Sequence, residues 1–71
     1  RYTEQAKEMS ERLYVFQADR ENMLGDYYAT LENDLGARTH WTRAASFSGT
    51  PSAEAAQKKL RALDASATTN P

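Results

Sequence analysis

The stretch YTEQAKEMSERLYVFQADRENMLGDYYATLENDL, residues 2–35, places apolar side chains at Tyr2, Ala6, Met9, Leu13, Phe16, Met23 or Leu24, Tyr27, Leu31 and Leu35. Steps of three and four residues hold these positions on one face of an α-helix, because each residue turns about 100° around the axis. The spacing predicts a single amphipathic helix over about residues 3–35, roughly 50 Å long at about 1.5 Å per residue. Gly36 follows the last apolar residue and reads as the C-cap. Gly25-Asp26 offers an alternative, a C-cap and N-cap pair that would split the segment in two. Phase favours continuity, since Leu13 and Phe16 on one side of Gly25 share an angular sector with Tyr27, Leu31 and Leu35 on the other.

Residues 36–49 read as a connection, with a possible helical turn around Trp41 to Ala45 and loop composition at Ser46-Phe47-Ser48-Gly49. A second helix over about 50–65 follows, its first turn capped by the Thr50 hydroxyl with Pro51 at the first helical position, where a missing N–H costs nothing. Ala53, Ala56, Leu60 and Leu63 form its thin apolar face. Ser66 to Pro71 is small and polar and reads as a disordered tail. The expected fold class is therefore all-α: one domain over residues 1–65, a helical hairpin that self-associates or docks in a helical bundle.

Size and composition point the same way. Seventy-one residues is near the limit at which one hydrophobic core suffices without staples, and the chain has no cysteine and one histidine. That leaves neither a disulfide nor a ligand set for structural zinc, and no cofactor-binding motif is present. The longest apolar run, Leu13 to Phe16, is far below the roughly 20 residues of a membrane span. The absence of cysteine does not locate the chain in a compartment. Its start at Arg1 rather than methionine reads as a fragment or a processed product.

The net charge of −1 argues against nucleic acid as the main partner. Residues 1–35 hold four basic and eight acidic side chains, whereas residues 36–71 hold five basic and two acidic ones. This asymmetry favours packing the two parts together, within one chain or between copies. On a helix, Lys7 with Glu11 and Glu8 with Arg12 stand four apart, so Glu4, Glu8 and Glu11 read as a charge-patterned exposed face rather than as metal ligands.

The functional expectation is a non-enzymatic interaction or assembly subunit that buries its stripe against a protein partner or a further copy. Leu13, Phe16, Leu24, Tyr27, Tyr28, Leu31 and Leu35 are the expected interface core. Arg20 falls within the stripe, either as a polar layer that sets register or with its stem packed and its guanidinium bent out to rim acids such as Asp19 and Glu21. Tyr14, Val15, Ala18, Gly25 and Ala29 form a weaker surface on the opposite side, which can serve a second neighbour. The alternative function is a small dimeric nucleic-acid-binding regulator contacting phosphates through Arg38, Trp41, Arg43, Lys58, Lys59 and Arg61. Against it, Trp41 and Phe47 can fold back as a lid on the helical packing, with Arg38 and Arg43 near the negative end of the helix dipole.

Overall fold

The structure, a computed structural model, describes residues 2–68. The described chain forms three helices, α1 (Tyr2–Thr30), α2 (Asp34–Ala45) and α3 (Pro51–Thr68). The all-α expectation holds, but the hairpin gains a helix: most of the expected 36–49 connection is α2, and α1 ends five residues earlier than Leu35.

The early stop has a local cause. The Asn33 N–H donates to Tyr28 O at 2.9 Å and the Glu32 N–H to Ala29 O at 3.0 Å, while Glu32 takes φ 58°. This is the pair of bonds that closes a helix through a left-handed residue, a place usually held by glycine. Asn33 then caps α2, its Oδ1 accepting the Gly36 N–H at 3.0 Å. Gly36 is thus not the C-cap of α1. It lies in the first turn of α2, where a Cβ would stand 2.8 Å from Tyr28 Cγ, so its smallness makes room for that ring. A left-handed conformation costs a non-glycine residue about 1–2 kcal/mol. Glu32→Gly is therefore expected to stabilise the chain, by about 0.5–1 kcal/mol once the freer unfolded glycine is counted, read from urea unfolding followed by circular dichroism.

Gly25 does not break α1. It is buried because the Trp41 indole lies on it: a Cβ there would run into Trp41 Cδ1 and Nε1 and stand 2.8 Å from Cγ. Around this contact α2 runs back along α1, from Tyr28 beside Gly36 to an edge-to-face contact between Tyr14 and Phe47 with centroids 5.2 Å apart. The chain then turns and α3 runs forward again, with Ser52 donating to Asp19 and Lys59 Nζ to Asn22 Oδ1 (3.1 Å) and Asp26 Oδ1 (2.8 Å).

The start of α3 follows the sequence reading. Thr50 is buried, and its Oγ1 accepts the Ala53 N–H at 3.0 Å while donating to Phe47 O at 2.9 Å. Thr50→Ala removes both bonds and is expected to cost about 1–2 kcal/mol in the same unfolding experiment. At the other end, α3 continues through Ser66 to Thr68, where a disordered tail was expected; residues 69–71 of that tail lie outside the described residues.

The core is built almost wholly from small residues. Ala18, Ala37, Ala44, Ala53 and Ala56 are buried, with Trp41 the one large side chain among them, and Tyr28, Ala29, Ala45, Leu60 and Leu63 pack around its main cluster. Alanine and glycine let the three backbones come close but remove little apolar area from water. Residues 4–13 of α1 are all exposed, so this end of the helix stands free of α2 and α3 in a molecule measuring 59 × 19 × 13 Å.

Candidate functional site

The large apolar side chains are on the outside. Met9, Leu13, Phe16, Met23, Tyr27 and Leu31 are 55–68% exposed, and all but Leu31, which follows the last turn, belong to α1. Written as a heptad, α1 has Ala6, Leu13, Arg20 and Tyr27 at positions a, and Met9, Phe16, Met23 and Thr30 at positions d. A sustained alternation of three- and four-residue steps is the seam pattern of a coiled coil.

The heptad also accounts for the fold. Buried Ala18 and Gly25 are at positions f, Tyr14, Glu21 and Tyr28 at b, and Val15, Asn22 and Ala29 at c. These positions lie farthest from an a/d seam, and on them α2 and α3 pack, with α3 also reaching Asp19 and Asp26 at positions g. The surface that reads as the weaker one in the sequence is thus the one that folds the chain, and the stronger stripe is left open.

The expected interface residues divide accordingly. Leu13, Phe16 and Tyr27 lie along the open seam, Leu24 borders it half-buried, and Leu31 is exposed just past the end of α1. Tyr28 is on the packed side, its ring stacked on His40 with centroids 5.2 Å apart and planes 3° from parallel. Leu35 is 76% exposed but sits in the first turn of α2, because the chain has turned at Leu31–Asn33. Arg20 shares an apolar recess with Phe16, Met23, Leu24 and Tyr27. Among the described residues it forms no ion pair. Of the rim acids, Asp19 lines the same recess and accepts from Ser52, and Glu21 holds His40 Nδ1 at 2.7 Å.

The charge asymmetry is met within the chain at Lys59 and Asp26. Lys59 reaches Asp26, whose Oδ1 also accepts the Trp41 Nε1–H at 3.1 Å, and Lys59 Nζ stands 5.8 Å from the Trp41 ring centroid, within cation–π range. Arg38 pairs with Asp64 at 2.8 Å. Of the six residues proposed for phosphate contact, Trp41 is buried against Gly25 rather than free to stack on a base, Arg38 and Lys59 are paired, and Arg43, Lys58 and Arg61 are exposed. Trp41 sits at the middle of the helix packing, not as a lid on its end.

Glu4, Glu8 and Glu11 are exposed on the free end of α1. Among the described residues no three His, Cys, Asp or Glu side chains gather as a metal site, and no helix is long and apolar enough to cross a membrane. The signals that sequence reasoning undervalued were the small residues Ala18, Gly25 and Ala29, whose four- and seven-residue spacing on one face marks where another helix can approach. No protein family, curated protein or solved structure matches this chain.

Proposed function

We propose that this chain is a non-enzymatic assembly or interaction subunit that buries the a/d seam of α1 in a helical complex, with copies of itself or with another protein. The observation that carries the reading is the inversion of the usual distribution: alanines inside, and Met9, Leu13, Phe16, Met23 and Tyr27 outside along one line. Isolated exposed apolar residues are ordinary, but a contiguous row of large ones is a mark of an interaction surface. The free end of α1 supports the same reading, since a helix of about a dozen residues is marginal in water without tertiary packing. A coiled-coil partner would supply it.

The nucleic-acid alternative has less support, because its aromatic residue and two of its cations are engaged within the fold. The test is photocrosslinking in the cells that make the protein, with a photoreactive residue at Met23 on the seam or at exposed Lys58 on α3. A discrete adduct from position 23 and none from position 58 is the expected result. Equal crosslinking from both, or none from either, overturns the proposal.

A further inference from the structure

Resting on that reading, we infer that the occupant of the seam is a second copy of this chain, with its α1 antiparallel to the first. The flanks of the seam decide this. One flank, positions e, is Ser10, Gln17, Leu24 and Leu31; the other, positions g, is Gln5, Arg12, Asp19 and Asp26. One flank is therefore uncharged and partly apolar, and the other is charged.

In a parallel pair each g flank meets the partner's e flank, which sets Asp19 against Leu24 and Asp26 against Leu31, and stacks Arg20 on Arg20 in the seam. Carboxylates would lose water to leucine, and like charges would meet in a desolvated layer, both costly. In an antiparallel pair e meets e and g meets g. The uncharged flanks then face each other, and Arg12 of each copy comes opposite Asp26 of the other, which also holds Lys59.

Two alignments overlap most of α1, and the one that sets Arg20 opposite Phe16 rather than opposite Met9 places Leu13 opposite Met23, Met9 opposite Tyr27 and Ala6 opposite Thr30. Arg20 then lies over an aromatic face, where a guanidinium is attracted by the ring, and beside Asp19 of the other copy. Asp19 faces its own counterpart near the two-fold axis, and the two Arg20 side chains supply the compensating charge. Arg20 thereby becomes the register residue, as a lone polar group in an apolar seam does.

This arrangement also covers what the single chain leaves bare. The free end of α1, residues 4–13, falls against the C-terminal half of the other copy's α1. The α2 helix packs on positions b and f and α3 on c, reaching the g flank only through Ser52 at Asp19 and Lys59 at Asp26, so positions a, d and e stay uncovered.

Because the chain has no cysteine, single thiols report the pairing directly. Leu13→Cys and Met23→Cys chains, mixed and treated with a short bismaleimide, are expected to give a covalent dimer containing one of each. Either variant alone should give little, since position 13 then stands about 15 Å along the axis from its own counterpart at about 1.5 Å per residue. Sedimentation equilibrium of the untreated native chain should show a dimer. Efficient coupling of Leu13→Cys to itself would overturn the antiparallel order. A monomer at every concentration overturns the second copy, and a Met23 crosslink to a different protein would then leave the broader interaction reading standing. A dimer indifferent to Phe16→Glu would defeat both.

Discussion

Trp41→Ala is expected to destabilise the chain by about 3–5 kcal/mol, the usual range for emptying a buried tryptophan site, and so to remove most of the stability of so small a domain. The reason lies in what surrounds the indole. It lies on Gly25 and clusters with Ala37, Ala44 and Ala56, whose side chains are too small to fill the space, while Tyr28, Leu60 and Leu63 pack at the edge of that cluster. The substitution also leaves Asp26 without the indole N–H and Lys59 without the ring beneath it. A companion variant gives the experiment a sign as well as a size. With Trp41 present, Gly25→Ala drives a methyl group into the indole and should cost about 1–3 kcal/mol. In the Trp41→Ala background the same change should stabilise, by about 1 kcal/mol, because alanine outranks glycine in a helix interior. Urea unfolding at one fixed protein concentration, in a Phe16→Glu background, keeps association from masking the difference. Equal effects of Gly25→Ala in both backgrounds would mean that the glycine and the tryptophan do not meet.

Phe16→Glu is expected to act in the opposite manner, sparing the fold and abolishing assembly. Phe16 is 63% exposed in the single chain and is not part of the buried cluster, so a carboxylate there meets water. In the proposed complex it enters the seam. Losing about 1.5–3 kcal/mol of burial from each of two copies corresponds to a hundredfold or greater loss of affinity, at about 1.4 kcal/mol per tenfold. Helicity and Trp41 emission of the dissociated variant should match those of dilute native chain, while its sedimentation stays monomeric. Loss of helicity in the dilute variant would show that Phe16 belongs to the chain's own core.

Much of this architecture was legible in the residues. The continuity of α1 through Gly25 followed from phase, and the start of α3 from Thr50-Pro51. Less legible was the face on which the chain folds, because its residues are small. In a chain this short, close approach of backbones decided it, and Ala18, Gly25 and Ala29 made that approach possible where Leu13 and Phe16 could not. The break after Thr30 was hidden because its left-handed residue is a glutamate, and the nearest glycine, Gly36, serves Tyr28 instead. The Asn33-Asp34 start of α2 was a capping signal that the apolar stripe, running on to Leu35, obscured. The pairing of Arg38 with Asp64 and of Lys59 with Asp26 depends on α3 returning alongside the other two helices, which no local pattern announces.

One face of α1 folds the chain, and the proposed function leaves the opposite face for a partner. Hydroxyl-radical footprinting of Met23 tests both halves at once, comparing dilute purified chain with chain labelled in place in its cells. Rapid oxidation is expected in the dilute chain, in keeping with the 68% exposure of Met23, and marked protection in the cell. Protection already present in the dilute chain, or equally rapid oxidation in both, would contradict it.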